Sequence, residues 1–105
     1  MERKTIMLAC AAGMSTSLLV TKMKKAAEER KLDAEIFAVP VSEANQYAED
    51  KNVDVVLLGP QVRFMLPQFE SDLASKGIPV AVIPMTDYGM MDGEKVISLA
   101  EKLMN

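Results

Sequence analysis

The chain has 105 residues, half of them apolar, which suits one domain with a buried core and leaves no room for two. With no histidine and a single cysteine, Cys10, the sequence excludes an internal disulfide, a zinc site of cysteine and histidine ligands and a Cys-His catalytic pair. A net charge of −3 argues against nucleic-acid binding, and the absence of a leader or a membrane-spanning run predicts a cytoplasmic protein.

The first half of the chain predicts two strand–helix units. Lys4 to Cys10 is a nearly continuous apolar run, typical of a strand covered on both faces. A small, polar loop follows over 11–17, and its hydroxyl residues are candidate helix N-caps. The second unit is a strand over 33–39 and a weak helix that begins at Ser42. In the first helix, apolar residues recur at helical intervals and predict its buried face: Leu18, Leu19, Met23, Ala26 and Ala27.

The second half predicts two more units. A strand over 53–58 ends at Gly59-Pro60, and a helix over 64–74 carries Pro67 either in its first turn or at a kink. A fourth strand over 79–83 precedes the last helix, over 94–104. The inward side chains of that last helix are predicted to be Val96, Ile97, Ala100, Leu103 and Met104.

Strict alternation of strands and helices predicts an α/β fold: one domain over residues 1–105, with a four-stranded parallel sheet and helices on both faces. The commonest topology for this pattern is the flavodoxin-like strand order 2-1-3-4. In such sheets ligands bind beyond the carboxyl ends of the strands, where the strand order reverses, which here lies between strands 1 and 3. Cys10 ends strand 1, so topology alone predicts a site beside it.

The segment after Cys10 has the composition of an anion-binding loop. Small residues let the backbone curl around a ligand, Gly13 adopts a positive φ at low cost, and the following helix begins with unpaired N–H groups. A thiolate inside such a loop is equipped to accept a phosphoryl group covalently. The alternatives are that Cys10 is only a small buried residue and the hydroxyl residues only caps. The predicted loop consists of Ala11, Ala12, Gly13, Met14, Ser15, Thr16 and Ser17.

The same loop argues against fast hydrolysis. Cysteine-dependent phosphatases carry an arginine six positions after the cysteine, where this chain has Thr16, and neither lysine nor arginine occurs between Thr5 and Thr21. A low-molecular-weight phosphatase-like enzyme that lacks this arginine stays as the alternative. A flavin-binding module is disfavoured because none of the five aromatic residues lies near residues 10–17. A structural domain without chemistry leaves the loop composition unexplained.

Four motifs span the chain in order: residues 10–20 (CAAGMSTSLLV), 54–61 (DVVLLGPQ), 65–67 (MLP) and 87–89 (DYG). With them the chain resembles the IIB components of the bacterial sugar phosphotransferase system, specifically the lactose/cellobiose/chitobiose class. The first motif is highly specific, whereas the other three are weak alone.

The resemblance implies a protein-phosphocysteine–sugar phosphotransferase that needs no metal or cofactor. A IIA partner donates phosphate from a histidine to Cys10, residues 11–17 hold it, and a β-linked disaccharide bound by the membrane permease IIC receives it. The chain itself is expected to be a monomer outside the membrane. Gln61 is a candidate amide donor at the rim, or a plain surface residue. Tyr88 is a candidate cover of the rim, or a half-buried packing tyrosine. Met14 is a candidate apolar contact for both partners.

Overall fold

The computed structural model describes residues 3–11 and 16–104, and in this part of the chain four parallel strands form one sheet. The strands are β1 (Lys4–Cys10), β2 (Ala34–Pro40), β3 (Val55–Leu58) and β4 (Val80–Val82). The helices are α1 (Thr16–Glu29), α2 (Val41–Asp50), α3 (Leu66–Ala74), α4 (Met85–Gly89) and α5 (Gly93–Met104), with a 3₁₀ helix, Pro60–Met65, before α3. The strand order β2-β1-β3-β4 confirms the predicted order 2-1-3-4.

The two central strands are buried on both faces, which explains their continuous apolar sequences. In β1, Ile6 and Leu8 face a cluster completed by α1 and α5, whereas Met7 and Ala9 face a cluster completed by α2 and α3. All four side chains are fully buried. Each large apolar side chain buried in this way stabilises the fold by about 1.5–3 kcal/mol relative to an exposed one, so the central strands hold both layers of helices.

Close contact between α1 and α5 depends on Gly93, the first residue of α5. A Cβ atom built on Gly93 would lie 2.5 Å from the backbone carbonyl carbon of Lys22, closer than two such atoms can approach. At the end of α1, the Arg30 guanidinium donates hydrogen bonds to Glu94 and Glu101, at 2.7 and 2.6 Å. Those two carboxylates raise the pKa of Arg30 above its ordinary value. The two helices are therefore joined by backbone packing at one point and by charge at another.

Several element boundaries differ from the sequence predictions. The third strand begins at Val55 and not at residue 53, because the Asp54 side chain replaces a backbone acceptor of the sheet. The Asp54 N–H donates to Thr5 O at 2.9 Å, but the Thr5 N–H donates to the Asp54 carboxylate, at 2.7 Å. The third α-helix begins at Leu66 rather than Phe64, because Pro60 starts a separate 3₁₀ turn. Pro67 lies in the first turn of α3, as one of its two predicted placements required.

Three smaller differences concern the helices. Helix α2 begins at Val41, directly after β2, and α5 begins one residue before its predicted start. The five-residue helix α4 was not predicted, since it is shorter than two helical turns and shows no apolar repeat. No helix formed by the described residues combines the length and the apolar character that a bilayer crossing requires.

Candidate functional site

Cys10 is the last residue of β1 and lies at the carboxyl edge of the sheet, the end at which all four parallel strands terminate. It pairs in register with Pro40, the last residue of β2. Its side chain is 5 % exposed, and Sγ donates a weak hydrogen bond to the Val39 carbonyl oxygen at 3.8 Å. Cys10 thus lies at the carboxyl edge of the sheet with little of its surface exposed to water. A reactant has to approach the sulfur from this edge.

Strand β3 brings a second segment to the same place. The Gly59 N–H donates to Ala9 O at 2.9 Å, which fixes the end of β3 beside the end of β1. A Cβ atom built on Gly59 would lie 3.5 Å from Cys10 Cβ and 3.3 Å from Gln61 Oε1. Gly59 has a φ of −64°, a backbone conformation that any residue can adopt. Glycine therefore matters here because it has no side chain, and not because of its conformation. Gln61 and Cys10 therefore border one methyl-sized space, and Gln61 is exposed.

The predicted phosphate loop is described only at its ends. Ala11 is half-buried against the cluster under α2 and α3, while Ala12, Gly13, Met14 and Ser15 lie outside the described residues. Thr16 is the first residue of α1, and the next residue, Ser17, is exposed. The first turn of α1 contains no acidic residue, so no carboxylate offsets the positive end of the helix dipole. Helix α1 thus begins six residues after Cys10 with an end that favours an anion.

Tyr88 lies in α4 and is 5 % exposed, more deeply buried than either of its two interpretations expects. Its side chain belongs to the cluster formed with α1 and α5, together with Leu19 and Ile97. The backbone N–H of Tyr88 donates to Pro84 O at 3.0 Å, an i→i−4 hydrogen bond from α4 to its N-cap residue. A role at the rim stays a prediction.

The sequence did not reveal which apolar residues remain in water. Leu18 was predicted to face the core but is 50 % exposed, and Phe64, predicted as the first residue of a helix over 64–74, is 75 % exposed. Met85, the first residue of the unpredicted helix α4, is 58 % exposed, and Met90, its C-cap residue, is 77 % exposed. One signal was present in the sequence: Phe64 is followed at i+3 and i+4 by Pro67 and Gln68, so it has no apolar partner at helical spacing.

The described part of the edge offers a nucleophile and hydrogen-bond donors but no cluster for a metal. Among the described residues, no group of three or more Cys, Asp or Glu side chains is placed to hold an ion. The charged residues of 59–66 and 84–90 are Arg63 and Asp87 alone. A sulfur nucleophile six residues before a helix N-terminus, with a carboxamide nearby, suits covalent uptake of an anionic group.

Comparison with known proteins agrees with this chemistry. Residues 5–99 match the family model described as "PTS system, Lactose/Cellobiose specific IIB subunit". The chain is 51 % identical to the galactose-specific EIIB component of Lactococcus lactis subsp. cremoris and 50 % identical to the cellobiose-specific EIIB component of Lactococcus lactis subsp. lactis, over the full length of each chain. It is 45 % identical to the oligo-beta-mannoside-specific EIIB component of Bacillus subtilis, over 96 % of both.

Two solved structures share the architecture. The solution structure of a cellobiose-specific phosphotransferase IIB component from Borrelia burgdorferi superposes with a TM-score of 0.80 at 40 % identity, covering 99 % of this chain and 94 % of that one. The lactose-specific IIB domain from Streptococcus pneumoniae gives 0.87 at 14 % identity, covering 99 % and 100 %, and shows the fold alone. From the family match over residues 5–99 and relatives up to 51 % identical along the whole chain, we conclude that this protein belongs to the lactose/cellobiose-specific IIB family of the sugar phosphotransferase system.

Proposed function

We propose that Cys10 accepts a phosphoryl group from a phosphohistidine of a IIA protein and passes it to a sugar bound by the membrane permease IIC. Membership in the IIB family makes the chain a transferase component of sugar phosphorylation and uptake. The single observation that carries the finer proposal is the position of Cys10, a nucleophile at the carboxyl edge beside Gly59 and the start of α1.

Two displacements at phosphorus make up the proposed reaction. In the first, the Sγ thiolate attacks phosphorus, so that the S–P bond forms as the N–P bond to the donor histidine breaks and the imidazole nitrogen keeps the electron pair. In the second, a sugar hydroxyl attacks, the O–P bond forms, and sulfur leaves as a thiolate while a base on the acceptor side takes the hydroxyl proton. The thiolate is therefore regenerated at the end of each cycle.

Residues 11–17 are proposed to hold the phosphoryl oxygens. The α1 N-terminus supplies backbone N–H groups without a competing carboxylate in its first turn, which supports this assignment. Gln61 borders the same methyl-sized space as Cys10, with Oε1 toward it, and we propose that its amide turns to donate an N–H to a phosphoryl oxygen. Tyr88, buried in the core, is proposed to support the edge from below by holding α4 against it.

The composition of the edge favours transfer over hydrolysis. A fast cysteine phosphatase needs a guanidinium around the transition-state oxygens, and no lysine or arginine stands between Thr5 and Thr21. We therefore expect the S–P bond to survive in water long enough to meet the acceptor. The phosphatase alternative predicts the opposite, namely rapid release of inorganic phosphate.

The proposed sugar is a β-linked disaccharide. Names of the relatives include cellobiose, galactose and oligo-beta-mannoside, and we infer that the permease chooses among such sugars. Residues 1–105 are proposed to act as one monomeric carrier domain in the cytoplasm, where a lone cysteine stays reduced.

The test is intact-mass spectrometry after incubation with phosphorylated IIA. The wild-type chain should gain one phosphoryl group, and Cys10→Ser should gain none, because a serine hydroxyl is not ionised near neutral pH. Circular dichroism of the variant checks that the fold is kept. A Cys10→Ser chain that is phosphorylated at the wild-type rate contradicts the proposal.

A further inference from the structure

Strand β2 forms a long outer edge of the sheet, with backbone groups that face away from the other strands. It has seven residues, whereas β4, the strand at the opposite side, has three. Lys4 lies opposite Ala34, and the Lys4 N–H donates to Asp33 O at 3.0 Å. Parallel pairing repeats every second residue, so the N–H and C=O groups of Ala34, Ile36 and Ala38 point away from β1. Within residues 3–11 and 16–104, no backbone hydrogen bond reaches these groups.

This edge lacks the features that usually keep an exposed strand from pairing with another chain. Charged side chains or prolines at the outward positions serve that purpose in many proteins. Here the outward positions carry alanine, isoleucine and alanine, and the small side chains of Ala34 and Ala38 leave the backbone accessible. Proline occurs only at Pro40, the last residue of β2. Strand β2 can therefore accept a further strand along its outer side.

A groove runs beside this edge, between β2 and α1. Toward the amino edge it is a cavity of about 480 Å³ that includes Ala34 in its lining. Toward the carboxyl edge it is a cavity of about 430 Å³ that reaches Ser17 and Ala38. Both cavities are lined by Lys24 and Ile36, so they form one continuous space, which we call the β2 groove.

We propose that the β2 groove binds an extended cytoplasmic segment of the permease IIC, which pairs with β2 as a fifth strand of the sheet. This inference rests on the proposed function, because it concerns the protein that receives the phosphoryl group from Cys10. Ser17 lies in the first turn of α1, and Ala38 lies two residues before the end of β2. The groove is therefore continuous with the carboxyl edge, so a permease that covers Cys10 has chain within reach of it. Main-chain hydrogen bonds to a free strand edge supply affinity for such a segment.

Charge favours the permease over the phosphoryl donor as the occupant. The cavity toward the amino edge is lined by three acidic residues, Glu28, Asp33 and Glu35, and by two basic residues, Arg3 and Lys24. The whole chain has a net charge of −3. Cytoplasmic loops of membrane proteins carry an excess of lysine and arginine, so they are attracted to this surface. A donor that brings a phosphoryl group of about two negative charges is not.

Charge also disfavours a second copy of this chain as the occupant. Two β2 strands related by a twofold axis pair all of their outward groups when Ile36 lies on the axis, with Ala34 opposite Ala38 of the other copy. Lys24 lines the groove beside Ile36 and makes no ion pair with a residue that the structure describes. A dimer of this kind would bring two such lysines together at the axis, where they repel each other.

The experiment removes one outward N–H group from β2. Ala38→Pro deletes this donor and leaves the hydrogen bonds to β1, whereas the matched variant Ala38→Ser keeps the donor. The phosphorylated chain is supplied to vesicles that contain IIC and a β-linked disaccharide. We expect Ala38→Pro to raise the KM for the chain about tenfold and to leave kcat within about twofold, because one hydrogen bond to the permease is lost. Ala38→Ser should raise KM less than twofold, and IIA should phosphorylate all three chains equally.

Hydrogen–deuterium exchange of the wild-type chain gives a second measurement, which does not depend on the folding of a variant. Mass spectrometry over residues 34–40 should find about three further amides protected when vesicles containing IIC are added, since the outward N–H groups then have partners. Vesicles without IIC, or IIA alone, should leave exchange in this segment unchanged.

The results that overturn the inference differ in what else they remove. Wild-type KM for Ala38→Pro together with unchanged exchange, while Cys10 is still phosphorylated, removes the permease segment and leaves the proposed function. Protection of residues 34–40 by IIA alone assigns the groove to the donor instead. A dimer in sedimentation that Ala38→Pro dissociates, with unchanged KM, assigns it to a second copy of this chain. A wild-type chain that IIA does not phosphorylate removes both proposals.

Discussion

The two edges of the sheet differ in the side chains that they carry: ion pairs at the amino edge, and mostly uncharged and apolar residues at the carboxyl edge. At the amino edge, three ion pairs tie together residues near the strand starts: Arg3–Asp33 at 3.8 Å, Lys51–Glu35 at 3.0 Å and Lys76–Glu49 at 3.9 Å. At the carboxyl edge, the segments 59–66 and 84–90 contain one cation and one anion, and neither pairs with a described residue. That edge presents Cys10 and exposed apolar side chains instead.

This difference indicates that the amino edge contributes to the stability of the fold, whereas the carboxyl edge serves phosphoryl transfer. Exposed ion pairs contribute only about 0–1 kcal/mol each, but they tolerate water and occupy an edge that no reactant has to approach. A carboxylate next to Cys10 would repel an incoming phosphoryl group, and ion pairs at that edge would have to be desolvated whenever a partner docks. We therefore expect substitutions at the carboxyl edge to alter phosphoryl transfer and substitutions elsewhere to alter the free energy of unfolding.

After the loss of Cys10 itself, the largest expected effect on transfer is that of Gly13→Val. Gly13 belongs to the loop whose backbone is proposed to wrap the phosphoryl oxygens, and a branched side chain both resists a positive φ and fills the loop. We expect transfer from IIA to slow about a hundredfold, comparable to the loss of one preorganised donor. The free energy of unfolding from urea titration should change little. Wild-type transfer by this variant would show that the loop does not enclose the phosphate.

The largest expected effect on stability is that of Gly93→Ala, away from the carboxyl edge. The new Cβ would meet the backbone of Lys22 at 2.5 Å, so α1 and α5 must separate. Overpacking of this kind costs about 2 kcal/mol. Gly89→Ala is the matched control, because its Cβ meets nothing within 4 Å. Urea titration should separate the two variants, and equal midpoints would contradict the packing account.

A smaller effect on transfer is expected for Gln61→Glu. The substitution keeps the shape of the side chain but replaces the amide donor by an anion at the space shared with Cys10. We expect transfer from IIA to slow about tenfold through repulsion of the phosphoryl group. Asn52→Asp adds the same charge at the other end of β3 and should leave the rate unchanged. If both variants slow transfer alike, net charge rather than the position of Gln61 is responsible.

The smallest expected effect is that of Lys51→Met at the amino edge. The hydrogen bond from Lys51, at 3.0 Å, lowers the pKa of Glu35 below its ordinary value. A carboxyl whose pKa is lowered by folding stabilises the fold above its ordinary pKa and loses that contribution as pH falls through the lowered value. In Lys51→Met, NMR titration should find the pKa of Glu35 raised toward normal. The rate of phosphoryl transfer should be unchanged. Slower transfer would contradict the view that the amino edge has no part in the reaction.

Sequence patterns predicted the sheet well because its strands are simple. Lys4–Cys10 was predicted to the residue, since the buried residues from Ile6 to Cys10 form one continuous apolar run. The place of Cys10 followed from strand order alone. The start of β3 was wrong by two residues because the Asp54 side chain substitutes for a backbone acceptor, and such a contact 49 residues away in the chain leaves no local pattern.

The exposure of Leu18, Phe64, Met85 and Met90 was missed for a physical reason as well. Helical periodicity identifies apolar residues on one face, and it assumes that each finds a core to pack against. Leu18 shares the spacing of the buried Leu19 and Met23 but lies in the first turn of α1 and is 50 % exposed. Exposure is set by tertiary position, so apolar residues that stay in water look like core residues in the sequence.

The most direct test of the central claim is phosphorus NMR of the chain after phosphorylation by IIA, because the chemical shift reports which atom bears the phosphoryl group. Our account predicts one protein-bound resonance with the shift of a phosphorus–sulfur bond, lost on addition of IIC membranes with the sugar and absent from Cys10→Ser. A resonance with the shift of an oxygen-bound or nitrogen-bound phosphoryl group, retained in Cys10→Ser, would contradict it.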